Sequence, residues 1–174
     1  NGVEFLNEHV AAQTGIAAPT MAIISFPGEY GGDGSAGAKL AAEALGIEVI
    51  VDLDGTVAPG ADNTGALSQL VAADADMVWT TVSPSILAEL VGGAAAQGYV
   101  PWWSGNVPSY NPALLDSAVG PVLDTNYILN SYILTWNTPD VPGLEKMKEE
   151  LLAAMPDAPL SDTYIQGWIE GQAA

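Results

Sequence analysis

The sequence predicts an α/β fold: a three-layer, doubly wound parallel sheet of order 2-1-3-4-5 with helices on both faces. Three observations predict it. Short apolar runs of strand length alternate with segments of helical spacing at intervals of roughly 25 to 30 residues, the rhythm of right-handed βαβ crossovers. The run MVWTTV from Met77 is apolar on both faces at its start, as a buried parallel strand requires. Helical segments open on Ser-Pro or Asp and close on glycine, which marks their ends.

Element by element, NGVEFLNEHV places Val3, Leu6 and Val10 three and four residues apart, the stripe of an amphipathic helix that should end near Thr14-Gly15. A chain that opens inside a helix is expected to be a fragment. TMAIISF gives a strand from about Thr20 to Ser25, followed by a Gly-rich loop and a helix from Asp33 to Leu45, which Gly46 can close in the left-handed conformation. EVIVDL is a second strand. Asp62 or Thr64 can cap the next helix, which carries Leu67, Leu70 and Val71 on one side. After the third strand, Ser83 serves as N-cap with Pro84 at the first helical position, and Ile86, Leu87, Leu90 and Val91 form a buried stripe up to Gly98. YVPWW reads as a fourth strand, NPALLDSAV as a short helix and NYILNSYILTW as a fifth extended segment. PGLEKMKEELLAAM and SDTYIQGWIEGQAA read as closing helices. Residues 1–174 are expected to form a single lobe, with a terminal helix within 156–174.

Composition narrows the function. A chain of 174 residues can bury roughly 68 to 70% of its extended surface as one domain. No apolar run approaches the 18 or so residues of a membrane span, so direct membrane insertion is not expected. Acidic residues number 21 against three lysines, for a formal charge of -18. Such a surface repels phosphate backbones and anionic lipids, which argues against nucleic acid as a partner. It reads first as a solvated coat that keeps the protein dispersed, with adaptation to high salt as the alternative. Without cysteine there is no disulfide, thiolate nucleophile or zinc-thiolate site. The single histidine, His9, lies on the first helix, and no Ser-His-Asp arrangement can be built around it. The N-terminus lacks the basic start and apolar core of a signal peptide.

Two short motifs suggest catalysis or a cofactor. GDGSAG, residues 32–37, matches the dinucleotide glycine pattern, with Asp52 about twenty residues on. The first glycine, however, stands six residues beyond the strand, and Glu29 and Asp33 would put uncompensated negative charge beside a pyrophosphate. No cofactor is expected. VIVDLDGTV, from Val49, resembles the first motif of the haloacid dehalogenase phosphatases, in which one carboxylate attacks phosphorus and a second handles the leaving-group proton beside Mg²⁺. Asp52 and Asp54 have that spacing. The chemistry also needs a lysine on the phosphoryl oxygens and a later acidic pair, and no Gly-Asp or Asp-Asp follows a later strand. A strand ending in a solvated Asp-Gly turn is the preferred reading, with the phosphatase kept as an alternative.

The segments MAIISFPGEYGGDGSAGAKLAAEALGIEVIVD, PGADNTGALSQLVAADADMVW and SILAELVGGAAAQGYVPWW together resemble the type I periplasmic binding proteins of ABC importers, most nearly the leucine/isoleucine/valine branch. The resemblance implies a two-lobed, non-enzymatic, extracytoplasmic receptor that closes on a small molecule and is recognised by a membrane permease. This chain would be most of the second lobe, its terminal helix heading toward the hinge, with the first lobe missing. A sensory or regulatory domain of the same fold is the other reading of the resemblance. In a 2-1-3-4-5 sheet the crevice lies at the carboxyl ends of strands one and three. The loops 26–31, 81–85 and 104–110 converge there and offer Glu29, Tyr30, Thr81, Ser83 and Asn106. Tyr30 matches a ligand-contacting aromatic of the family. Ser83 matches a position that is often aromatic there, although it also suits an N-cap. Asn106 falls near the acidic residue that pairs with an amino acid's ammonium group. An amide cannot neutralise a buried cation, so an amide, polyol or organic acid stands beside an α-amino acid as a ligand. Trp103, near a strand end, is a candidate stacking surface, whereas Trp79 is expected in the core.

Overall fold

The structure is a computed structural model that describes residues 2–132, 134–158 and 161–173, with the side chains of residues 163 and 173 outside the description. The chain forms two compact units, Asn1–Asn130 and Ser131–Ala174.

In the first unit, five strands form an all-parallel sheet: β1 (Met21–Ser25), β2 (Val49–Leu53), β3 (Met77–Thr81), β4 (Trp102–Gly105) and β5 (Tyr127–Ile128). Their order is β2-β1-β3-β4-β5, as the βα rhythm predicts. Five helices cover the two faces: α1 (Gly2–Thr14), α2 (Glu29–Leu45), α3 (Thr64–Ala73), α4 (Pro84–Ala96) and α5 (Gly120–Asn126). Because strand side chains alternate, each face carries its own core. Met21, Ile23, Met77 and Trp79 pack against Val3, Leu6 and Val10 of α1 and Ala38 and Ala42 of α2. Ala22, Ile24, Val78 and Trp103 pack against Leu70 of α3, Leu87 and Leu90 of α4, and Leu123 of α5. The central strands β1 and β3 are buried throughout, while edge strand β2 alternates.

Helix α2 begins earlier than the expected Asp33, at Glu29, and takes up the segment read as a Gly-rich loop. Glycine is a weak helix former, but here it permits close approach: a Cβ on Gly31 would overlap the Phe26 carbonyl oxygen. Gly46 closes α2 as expected, at φ 68°. Asp62 secures the start of α3, its Oδ1 accepting hydrogen bonds from the Thr64 amide at 3.1 Å and the Thr64 hydroxyl at 2.6 Å. The fourth strand lies two to three residues later than expected. Pro101 has no N–H for a ladder, and the Tyr99 hydroxyl instead donates to the Ala75 carbonyl at 2.8 Å. The fifth extended segment, expected over 126–136, shortens to Tyr127–Ile128, and residue 133 lies outside the description. The NPALLDSAV helix is a 3₁₀ turn over Pro112–Asp116, and the α-helix following it, α5, was not anticipated.

At the amino edge of the sheet, Thr20 and Asp76 form a reciprocal clamp. Asp76 Oδ2 accepts from the Thr20 amide at 2.7 Å and the Thr20 hydroxyl at 2.8 Å, while the Asp76 amide donates back to Thr20 Oγ1 at 3.2 Å.

The second unit contains α6 (Pro142–Ala154) and α7 (Thr163–Ala173) around a small core of Trp136, Leu144, Met147 and Ile165. Asp162 Oδ1 accepts from the Trp136 amide at 2.6 Å, and Lys148 Nζ lies 5.6 Å from the Trp136 ring centroid. Within the terminal segment 156–174, residues 159, 160 and 174 lie outside the description.

Candidate functional site

The carboxyl ends of β1, β3 and β4 are tied into one wall. The Phe26 amide donates to the Thr81 carbonyl at 3.1 Å, and the Asn106 amide donates to the Thr80 carbonyl at 3.1 Å. Ser109 sits beneath them, its hydroxyl accepting from the Val82 amide at 3.1 Å and donating to the Thr80 carbonyl at 3.3 Å. Tyr30 stands on the first turn of α2, with its hydroxyl donating to the Val82 carbonyl at 3.4 Å and its ring edge-on to Phe26. Partial burial raises the Tyr30 phenol's pKa, and a hydrogen bond with Ser109 opposes that rise.

Gly34 lets α2 approach this wall. A Cβ there would overlap Thr81 Oγ1 and lie 2.9 Å from Asn106 Nδ2. Thr81 is fully buried, and its hydroxyl has no hydrogen-bond partner. The same holds for the indole nitrogen of Trp79, whose side chain is 8% exposed. Such groups are uncommon because each carries a desolvation cost of about 1 to 3 kcal/mol. Tyr30, Gly34, Asn106 and Trp79 line one groove of about 720 Å³, which continues between α1 and α2 past Val3, Gly37, Ala38, Leu40, Ala41 and Ala44.

Of the residues expected at the site, Tyr30, Thr81 and Asn106 come together around Gly34. Glu29 is exposed at the start of α2, where its charge complements the helix dipole. Ser83 occupies the N-cap position of α4, but its hydroxyl lies 2.9 Å from Ser85 Oγ and makes no cap hydrogen bond. Trp103 corrects the stacking expectation: it is 1% exposed and enclosed by the core on the α4 face. Trp79 takes the groove position instead, because the register sets Trp103 opposite Val78 and Trp79 opposite Ser104, so the two indoles point to opposite faces. His9 packs edge-on against Trp102 at 4.6 Å. Trp79 lies in the core as expected, with an edge on the groove. Sequence reasoning missed Gly34 and Ser109, which show only in the tertiary approach of α2 and of the turn after β4 to β3.

The Asp-x-Asp motif sits on edge strand β2. Lys39 Nζ lies 2.9 Å from Asp52 Oδ2 and 3.3 Å from Asp54 Oδ2, and Asp54 Oδ1 accepts from Ser25 Oγ at 2.7 Å. The Ser25 hydrogen bond, helped by Lys39, holds the Asp54 carboxyl below the usual range, and Asp52 foremost raises the Lys39 ammonium. Both carboxylates are thus engaged with this chain's own groups.

Comparison with known proteins agrees with this sheet arrangement. A fatty acid ABC transporter substrate-binding protein from Thermomonospora curvata superposes with a TM-score of 0.79 at 25% identity, over 95% of this chain and 43% of that one. A solute-binding protein of an R. palustris ABC transporter, in complex with benzoate, gives 0.72 at 19% identity, over 98% and 45%. A branched chain amino acid ABC transporter protein from Thermus thermophilus with bound valine gives 0.70 at 19% identity, over 94% and 40%. The chain therefore spans less than half the length of each. No curated protein matches it in sequence. The periplasmic binding protein description fits residues 6–174, and with that match and the 2-1-3-4-5 lobe the chain belongs to the periplasmic binding protein family.

Proposed function

We propose that this chain is one lobe of the solute-binding component of an ABC importer, holding a small polar or amphipathic molecule between itself and a second lobe. Its family is one of extracytoplasmic substrate-binding proteins, and among the described residues no helix is long and apolar enough to cross a membrane. The carrying observation is the Gly34 cradle, where the unpartnered Thr81 hydroxyl and the Asn106 amide meet at the carboxyl ends of β3 and β4 beside Tyr30. This is where a doubly wound sheet reverses its crossovers and binds ligands. Tyr30 and Asn106 contact the ligand, the buried Thr81 backs that wall beneath Gly34, and Glu29 and Ser83 stand at its rim. Residues 1–174, both compact units included, belong to the same lobe of the longer protein in this reading. Closure on ligand selects the form that a membrane permease recognises, without catalysis.

The ligands named for similar structures, a fatty acid, benzoate and valine, support an organic acid or amino acid class, and Asn106 in place of an acidic residue adds an amide to it. The test is a thermal-shift screen of those three classes followed by calorimetry on each hit. A true ligand at 100 times its Kd adds about 2.7 kcal/mol of stability, and Asn106→Leu reduces that gain. If no solute shifts the midpoint, the reading fails. Phosphate release from an aryl phosphate with Mg²⁺ that Asp52→Asn abolishes would replace it with the phosphatase.

A further inference from the structure

We infer that the wall at Tyr30 and Asn106 takes a solute that presents a protonated amine to it, and that Asp33 is the counter-charge. The inference rests on the solute-binding reading above and deepens it by naming the group this lobe receives. Tyr30 and Asp33 stand one turn apart on α2, and both line the groove with Asn106. Asp33 is the one charged side chain of that lining, and among the described residues its carboxylate has no ion-pair or hydrogen-bond partner. The partly exposed ring of Tyr30 adds an electron-rich face that attracts a cation, and the Asn106 side-chain oxygen can accept an ammonium N–H.

An acid finds no such partner on this wall. Lys39 is the only lysine or arginine among residues 1–130, and Asp52 and Asp54 hold it at 2.9 Å and 3.3 Å on the edge strand. Lys146 and Lys148 belong to the second unit, where Glu150 and Glu145 pair with them. With 21 acidic residues against three lysines, the field around the chain gathers cations and repels anions. A carboxylate in the groove would face Asp33 with no basic group to offset it. An alkylamine stays protonated up to about pH 10, so the local carboxylate and the distant charge both draw it in.

The test titrates the 174-residue chain by calorimetry with isobutylamine, isobutyramide and isobutyrate, which share a carbon skeleton, and with valine, which adds a carboxylate to the same amine. At low salt isobutylamine is expected to bind about two- to fivefold more tightly than isobutyramide, with isobutyrate weakest. Valine is expected to bind more weakly than isobutylamine, because its carboxylate has no basic partner here. Raising salt from about 0.01 M to about 1 M shortens the Debye length from about 30 Å to about 3 Å and erases the preference. Asp33→Asn removes it as well, whereas Glu43→Gln, which deletes the same charge from an exposed position on α2 outside the groove, preserves it. Both positions are exposed, so both variants should keep the wild-type thermal midpoint within a few degrees. An equal Kd for amine and amide, isobutyrate or valine binding more tightly than isobutylamine, a preference that survives Asp33→Asn, or an equal loss in the two variants overturns the inference. If none of the four binds while another solute binds through Asn106, the lobe reading survives and the amine inference alone falls. A failure of every solute to bind removes both.

Discussion

Two polar clusters lie near the carboxyl edge of the sheet, and they differ in one respect. At β2, Asp52 and Asp54 share Lys39, and Asp54 also takes the Ser25 hydroxyl, so that cluster is closed on itself. At β3 and β4, the Thr81 hydroxyl and the Trp79 indole nitrogen are buried without partners beside a groove. The closed cluster carries the sequence motif that suggests catalysis, whereas the open one carries no motif. A motif names residue types only; unmet hydrogen-bonding capacity in a cavity is the better pointer to a ligand.

The sharpest way to break this contrast is Gly34→Val. Its Cβ collides with Thr81, so it should cost about 1 to 3 kcal/mol and abolish ligand binding, read as a drop in thermal midpoint and a lost calorimetric signal. Wild-type stability and binding would show that the wall is not closely packed. Thr81→Val acts in the opposite sense on stability. Removing a buried, unpartnered hydroxyl that does not line the groove should stabilise the fold by about 1 kcal/mol and leave ligand affinity unchanged, measured by denaturant midpoint and titration. Lys39→Met should cost no more than about 1 kcal/mol and leave ligand affinity unchanged, because its ion pairs are largely solvated.

The smallest effect concerns pH. Asp54 has its carboxyl pKa lowered in the folded state, so its contribution is present at neutral pH and disappears as pH falls below about 4. Asp54→Asn should flatten the acid limb of the stability curve by a fraction of a kcal/mol, after discounting for its solvent exposure. An unchanged acid limb would mean that the β2 cluster is not held together as described.

Element order and sheet topology were legible because each follows from local periodicity: Val3, Leu6 and Val10 mark α1, and MVWTTV marks a buried strand. The start of α2 was not legible, since GEYGGDG has poor helix propensity and only the approach of Gly31 and Gly34 to β1 and β3 makes it helical. The position of Tyr30, Thr81 and Asn106 at the carboxyl ends of the strands was readable from the crossover geometry. Trp79 was expected in the core and lies there, whereas the burial of Trp103 turned on the side of the sheet to which strand pairing assigns it. The Lys39 bridge joins residues 13 and 15 positions apart across a helix and a strand, beyond any local pattern.

The Thr20–Asp76 clamp fastens β1 and β3 where they begin, and the Phe26–Thr81 hydrogen bond fastens them where they finish. Held at both rims, their amide protons should trade for deuterium together and later than those of the half-exposed edge strand β2.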